Sequence, residues 1–280
     1  MDNMLKYIEI TLSKEKREFW EDLISKKPEL KTVLKSVEEI TNTRFKDNQK
    51  VYFDKKTKFI SYALNIIFDE YIKGTDVEKI QILFSADFNN NQRGLIASGI
   101  RAGLSKEQLK ILANVLFDFK QMHIILDALR EGLDEESVIL FAKPEFNWLQ
   151  MQTIMRSIKT GLSNEQIRVF AKPKFSHGQM SQIACGWHSG LNKEQIAVIA
   201  DSRLESHQME QIVEGYLKGL KQNEIKLFAK PEFNSFQMEE IRLAISDGLN
   251  RQQVKSLARP ENNWRNMRRM RIEYAALKLA

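Results

Sequence analysis

Cys185 and His188 have residue types and a spacing that can bind a metal ion. They stand three positions apart in one predicted helix, so both side chains would lie on the same helix face. A structural zinc site needs four ligands, and no second pair of this kind lies nearby. Cys185 is also the only cysteine, which excludes an internal disulfide. We therefore expect a buried thiol beside a partly exposed imidazole, and no metal.

Motifs that mark enzymes are missing from the sequence. It contains no Gly-rich phosphate loop, no HExxH and no nucleophile elbow. The carboxylates form no pair that differs from the solvated faces of helices. We expect a non-enzymatic protein without cofactors, although helical-repeat folds can carry enzymes, such as some DNA glycosylases.

The C-terminal segment has the residues best suited to contact nucleic acid. Arginine pairs with phosphate in bidentate fashion, and tryptophan stacks on bases. The candidates are Trp264, Arg265, Arg268, Arg269 and Arg271. The alternative is that these side chains form the polar outer face that a terminal repeat needs. An acidic protein is a further possible partner for them.

A repeat of 29 residues organises the second part of the chain. The pair Gly-Leu recurs at this step at 103–104, 132–133, 161–162, 190–191, 219–220 and 248–249. Gln-Met recurs at the same step from 121–122 to 237–238. Such a period is typical of stacked supersecondary units, none of which can bury its apolar face alone.

Each repeat is predicted to contain two helices. Asn147, and its equivalents in the other repeats, has the side chain of a helix N-cap, and Gln150 follows at capping-box spacing. Phe146 and Met151 would form a hydrophobic staple, and Gly161 would end the first helix. The glutamines could instead be ligand-binding amides and the methionines a binding groove, but capping and core packing explain their spacing directly.

Two further columns of equivalent residues recur with the same period, and the second helix of each repeat is expected at positions equivalent to 164–170. Small residues of the first helix indicate a close approach by a neighbouring helix: Gly99, Ala128, Ser157, Gly186, Gly215 and Ala244. Basic residues just after the second helix would either complement its negative end or form a basic stripe: Lys143, Lys172, Lys230 and Arg259. We favour the helix-end role, because Asn114 and Asp201 interrupt the column.

The predicted fold is all-α, an α-solenoid of about six to seven two-helix repeats. Residues 84–280 form the repeats and end in a basic capping helix. Residues 1–83 form a mainly helical N-terminal domain or cap, with helices near 12–24, 28–40 and 59–72. Two runs, YIEITL at 7–12 and KVYF at 50–53, are predicted to be short strands.

Composition and charge further limit the classes of protein to which the chain can belong. The 280 residues carry 43 basic and 37 acidic side chains, a net charge of +6 that lies at the two ends of the chain. The nearly neutral middle argues against a long nucleic-acid groove. No apolar run is long enough to span a membrane, and no secretory signal is visible. We expect a cytoplasmic protein.

The pattern FAKPEFNxxQMxxI…GL, clearest at 141–162 and 228–249, resembles short helical repeats in proteins of Firmicutes and of their phages and mobile elements. The resemblance covers about 84–280, implies no catalytic residues and suggests a bacterial or phage source. We expect a protein-binding solenoid, such as a phage or mobile-element factor that binds and inhibits a host defence protein. Binding residues should lie at variable positions of the first helix: Gln152, Thr153, Arg156 and Lys159. The alternative is nucleic-acid binding through the C-terminal helix.

Overall fold

The computed structural model describes residues 14–45 and 50–279. Within them every regular element is a helix, which confirms the all-α prediction. The chain divides into two compact units, Met1–Pro144 and Glu145–Ala280. In the described part of the first unit the helices are α1 (Lys14–Lys26), α2 (Leu30–Arg44), α3 (Lys50–Ile72), α4 (Val77–Ile82), α5 (Asn90–Arg101), α6 (Lys106–Leu112), α7 (Phe119–Arg130) and α8 (Glu135–Ile139).

The second unit contains α9 to α17. Their bounds are α9 (Trp148–Lys159), α10 (Asn164–Phe170), α11 (His177–His188), α12 (Lys193–Ile199), α13 (Ser206–Leu217), α14 (Gln222–Ile225), α15 (Ser235–Ser246), α16 (Arg251–Leu257) and α17 (Trp264–Leu279). Long first helices alternate with short second helices, as the repeat predicts. Within this unit each first helix packs against the next first helix, from α9 to α17. In the first unit α5 packs against α7 in the same way. One continuous solenoid over both units stays a prediction.

Capping boxes start the first helices as the sequence predicts. Asn147 Oδ1 accepts a hydrogen bond from Gln150 N–H at 3.0 Å, and Gln150 Oε1 accepts one from Asn147 N–H at 2.8 Å. Phe146 and Met151, the two members of the staple, are both buried. Reciprocal capping bonds also start α5, α7, α11 and α15, so the initiation of these helices is encoded locally. At α13 the Glu205 side chain makes no capping bond, and only its N–H is bonded, to Gln208 Oε1 at 2.6 Å.

Glycines end the first helices through the Schellman arrangement. Gly161 has φ of +94°, its N–H donates to Ile158 O at 2.9 Å, and Leu162 N–H donates to Ser157 O at 3.1 Å. Gly74 has the same left-handed conformation, with φ of +79°. It lies 29 residues before Gly103, so the arrangement that ends a first helix also occurs before residue 84.

The small-residue column lies where the second helix of the same repeat approaches. A Cβ added at Gly215 would be 2.6 Å from Ile225 Cδ1, and one at Gly186 would be 2.8 Å from Ile196 Cδ1. The close approach that the sequence predicts is therefore confirmed, and the partner is the second helix.

One predicted strand is wrong. Residues 50–53 form the first turn of α3, because the apolar positions that follow them continue at helical spacing to Ile72. The other predicted strand, 7–12, lies outside the described residues. The three predicted helices near 12–24, 28–40 and 59–72 correspond to α1, α2 and the C-terminal part of α3.

Arg93 occupies a buried position that methionine holds in the later repeats. Its side chain lies among Phe59 and Phe84, whose ring centroids are 5.1 and 5.5 Å from the guanidinium carbon. Its Nε donates to Leu83 O at 3.2 Å. Burial, with the positive charge of Arg44 nearby, lowers the pKa of Arg93 to about 10. This arginine thus belongs to the interior of the first unit.

Candidate interaction surfaces

The side-chain amides of the glutamine column form hydrogen bonds within the protein. Beyond the capping bond, Gln150 Nε2 donates to Pro173 O at 3.1 Å and to Phe175 O at 2.7 Å, in the turn that leads to the next first helix. Equivalent amides make the same connection from Gln92, Gln121, Gln179, Gln208 and Gln237. Since both ends of each amide are bonded and each side chain is buried, these glutamines cannot serve as a row of ligand-binding groups.

The methionine column is part of the core. The six side chains are fully buried: Met122, Met151, Met180, Met209, Met238 and Met267. The core interpretation is confirmed, and the column offers no exposed groove.

The basic column after the second helix occupies the turn that follows the helix end. The N–H of Lys172 donates to Phe170 O at 2.7 Å, and the N–H groups of Lys143, Lys230 and Arg259 make equivalent bonds. Asp201, which interrupts the column, forms an ion pair with Arg203 at 2.6 Å. The neighbouring guanidinium lowers the pKa of Asp201. These positions agree with a helix-end location and do not form an unbroken stripe.

Two C-terminal arginines are bonded within the protein. Glu240 of α15 is buried, and its carboxylate accepts from Arg268 Nε at 2.7 Å and from Arg271 Nε at 2.9 Å. Arg271 also reaches Asp247 at 2.7 Å. These contacts hold α17 against α15, as a terminal repeat requires.

The remaining residues of the C-terminal group lie at the surface. Trp264 stacks on the exposed ring of Phe236, with ring centroids 5.6 Å apart. The guanidinium of Arg265 lies 4.7 Å from the Trp264 ring centroid, and Arg269 lies 3.8 Å from Glu273. Sequence reasoning missed Phe236, because its contribution depends on how α15 packs against α17.

The four residues predicted to bind a partner differ in exposure. Arg156 and Lys159 are exposed, whereas Gln152 and Thr153 are half-buried on the same helix, α9. Thr153 Oγ1 also donates to Leu149 O at 2.9 Å within the helix. Arg156 and Lys159 are therefore better placed than the other two for contact with a partner.

An exposed apolar cluster, Val115, Leu116 and Phe119, was missed by the sequence reasoning. Their exposed fractions are 45%, 71% and 49%. The residues equivalent to Leu116 in the other repeats are all charged: Asp87, Glu145, Lys174, Arg203, Glu232 and Glu261. This departure from the repeat was the signal that could have revealed the cluster. We call these three residues the 115–119 cluster.

The expectation of a buried Cys185 thiol is wrong, because this residue is exposed. Cysteine is usually buried by type, but four of the six equivalent positions hold polar residues, Ser98, Asp127, Arg156 and Glu214, and the other two hold Leu243 and Ile272. His188 Nε2 lies 2.9 Å from Thr160 Oγ1. In the described part of the chain no three His, Cys, Asp or Glu side chains come together as metal ligands would.

We expect Cys185 to react with a thiol reagent in the folded protein, because exposure removes the main barrier to access. The measurement is the rate of reaction with Ellman's reagent, with the urea-unfolded chain as reference. Rates within about one order of magnitude are expected. Reaction only after unfolding would contradict the exposed position.

None of the described helices is long and apolar enough to cross a membrane. No protein-family model matches the chain, and neither a curated protein nor a solved structure is significantly similar to it. Its function must therefore be inferred from its own surfaces.

Proposed function

We propose that the chain is a non-enzymatic, protein-binding helical-repeat protein that contacts its partner through the 115–119 cluster. The observation that supports this most strongly is the exposure of Leu116 at a position that carries a charge in every other repeat. Exposed apolar clusters commonly mark protein interaction sites. The recurring glutamines and methionines are buried, and they cap helices and pack in the core. Variable positions such as 116 are therefore the ones available for recognition of a partner.

A phage or mobile-element factor that binds and inhibits a host defence protein agrees with the sequence resemblance, which is the support for that part of the proposal. Exposed Arg156 and Lys159 of α9 are further candidate contacts, in the second unit.

The 115–119 cluster can be tested by restoring the residues of the other repeats. The double change Val115→Pro and Leu116→Glu places there the pair found at 144–145 and 231–232. Val115 O, which accepts from Gln92 Nε2 at 3.2 Å, is retained by proline, so the folded state should keep its stability. We expect at least a tenfold loss of partner affinity, because truncation or charging of a central apolar contact costs about 2 kcal/mol or more.

The measurement is capture of proteins from a bacterial host lysate, with and without nuclease, followed by affinity measurement on the purified partner. Lys218→Ala, at an exposed position that is not a candidate contact, serves as the control and should leave capture unchanged. Equal capture by the wild-type chain and the double variant would reject the 115–119 cluster as the contact, and capture that nuclease abolishes would point to nucleic acid.

Nucleic-acid binding is the second candidate, supported by the Trp264–Phe236 stack beside Arg265. An aromatic platform beside an exposed guanidinium suits single-stranded nucleic acid, because bases stack on the rings and the cation attracts phosphate. Titration of DNA and RNA oligonucleotides at rising salt tests it, with Arg265→Ala as the variant. Salt-sensitive binding that this variant loses would support the candidate, and no binding at low salt would remove it.

A further inference from the structure

A stripe of four exposed side chains runs along α17. The residues stand at positions i, i+4, i+7 and i+11, which place them on one side of the helix. They are Arg265, Arg269, Ile272 and Ala276, and we call them the α17 stripe. Ile272 is 57% exposed, and the side chain of Arg269 is 70% exposed. The stripe therefore combines two accessible cations in its N-terminal half with an accessible apolar residue farther along.

The same positions in α13 and α15 hold the first helix that follows. Each of these two helices carries a carboxylate there that pairs with an arginine of the following first helix. The pairs are Glu214 with Arg242 at 2.6 Å and Glu240 with Arg271 at 2.9 Å. Because this contact recurs, the α17 stripe occupies positions at which the fold packs one helix against another.

The two helices of such a pair run parallel. The contacts between α15 and α17 join the N-terminal ends through Phe236 and Trp264, and they join the C-terminal parts through Asp247 and Arg271. A helix that covered α17 in the same manner would meet the two arginines of the stripe with its N-terminal half and Ile272 with its C-terminal half.

The charge of the stripe is opposite to that of the equivalent positions. Arg269 stands where α15 has Glu240, and Ile272 stands where α13 has Glu214. Arg269 lies 3.8 Å from Glu273, and both side chains are mostly exposed, so the guanidinium stays accessible. A covering helix must therefore carry carboxylates where the repeats carry arginines, because two facing arginines would repel each other.

We propose that the α17 stripe binds an acidic amphipathic helix of a partner protein, parallel to α17. Its carboxylates would pair with Arg265 and Arg269, and an apolar side chain would pack on Ile272. The apolar area of Ile272 and Ala276 favours a helix over a phosphate backbone, which gains nothing from an apolar contact. The stripe lies in the second unit and shares no residue with the 115–119 cluster, so the proposal does not rest on binding by that cluster.

Four probes test the stripe on the full chain by fluorescence anisotropy. The first probe is a side-chain-stapled helical peptide with glutamate at positions i and i+4 and leucine at i+7 and i+11. The second peptide has the same composition in reversed order, and the third carries lysine in place of both glutamates. The fourth probe is a single-stranded DNA oligonucleotide. The reversed peptide tests the parallel direction, and the lysine peptide tests the sign of the charge.

Three variants decide which residues bind the probes. The stripe variant, Arg265→Glu with Arg269→Glu, reverses the charge of the stripe. The control variant, Arg251→Glu with Lys255→Glu, makes the same change at two exposed residues that also stand four positions apart, on α16. Ile272→Ser removes the apolar contact. Thermal melting of each variant checks that folding is retained.

We expect the glutamate peptide to bind the wild-type chain saturably and more tightly than the reversed peptide or the oligonucleotide. The stripe variant should bind it at least about tenfold more weakly and should bind the lysine peptide more tightly than the wild-type chain does, because attraction and repulsion are exchanged at two positions. The control variant should change neither affinity. Ile272→Ser should weaken the glutamate peptide about threefold, as the loss of apolar contact predicts.

Four results would overturn the proposal. An absence of saturable binding by the glutamate peptide would show that the stripe is only an exposed cap. Equal losses in the stripe and control variants would show general attraction to a basic chain. A stripe variant that gains no affinity for the lysine peptide would reject the pairing with carboxylates. Tighter binding of the oligonucleotide, unchanged by Ile272→Ser, would assign the stripe to nucleic acid.

Discussion

Gln150→Glu should destabilise the second unit by about 3–5 kcal/mol at neutral pH, the range expected when a buried group loses its partners and a carboxylate is buried instead. The substitution has nearly the same shape and keeps an oxygen for the capping bond. It replaces the Nε2 donor, however, by an oxygen that faces Pro173 O and Phe175 O. Urea denaturation followed by circular dichroism measures the loss.

Acid should restore part of that stability. In the folded variant the neutral carboxyl can donate to a carbonyl and the carboxylate cannot, so the pKa of the new glutamate lies above its unfolded value of about 4.3. The folded state then binds more protons than the unfolded chain, and its stability rises as the pH falls toward that unfolded value.

Gln166→Glu is the matched control for this experiment. Gln166 makes the same capping bond at the start of α10, with Ser163 N–H at 2.9 Å, but it is less buried. Glu224 already occupies the equivalent position in the first turn of α14 and accepts from Lys221 N–H at 2.7 Å. We expect little change. Equal effects of the two substitutions would show that the contacts with Pro173 and Phe175 contribute nothing.

Arg271→Ala is expected to cost about 1.5–3 kcal/mol, because it removes one of the two charged hydrogen bonds that the buried Glu240 carboxylate accepts and leaves only the one from Arg268. Glu240, the partner, is 1% exposed, and Arg271 is the less exposed of its two arginines. The loss also removes the bond to Asp247. Urea denaturation of the variant measures the loss in the free energy of unfolding. The lost contacts are those that hold α17 against α15.

Arg265→Ala and Arg269→Ala are the comparison for that result. Both residues lie at the exposed surface of α17, so their removal should leave the unfolding midpoint nearly unchanged. A small effect of Arg271→Ala, equal to that of these two, would mean that the ion pairs with Glu240 do not stabilise the end of the unit.

The local features of the fold were predictable, because their signals lie within a few residues. Asn147 and Gln150 specify where one helix starts, and Gly161 specifies where it ends. The structure accordingly has α9 between Asn147 and Gly161. The second role of Gln150 was not predictable in this way, because its acceptors lie 23 and 25 residues farther along and become neighbours only when two repeats pack. One hint was present: the first-helix column has glutamine from Gln92 to Gln237, whereas the second-helix column admits Glu224.

The candidate site was less accessible to sequence reasoning than the fold. Residue type alone made Trp264 and the C-terminal arginines candidates for nucleic-acid contact. The acidic residues that pair with two of these arginines, Glu240 and Asp247, come from another repeat and could not be inferred in this way. Leu116 was visible as an exception to its column, yet the column itself is recognisable as a surface position only once exposure is known.

The hydrogen bonds that glutamine side chains donate between repeats all run in one direction along the chain. Each buried glutamine reaches forward to carbonyls of the following repeat, and Asn266, at the equivalent position of α17, is exposed. Trimming α17 and the turn before it would remove both acceptors of Gln237 Nε2, whereas trimming repeats from the N-terminal side would remove amide donors and leave carbonyl oxygens, which tolerate a missing partner better. We therefore expect the removal of a repeat to destabilise the remaining repeats more at the C-terminal side than at the N-terminal side.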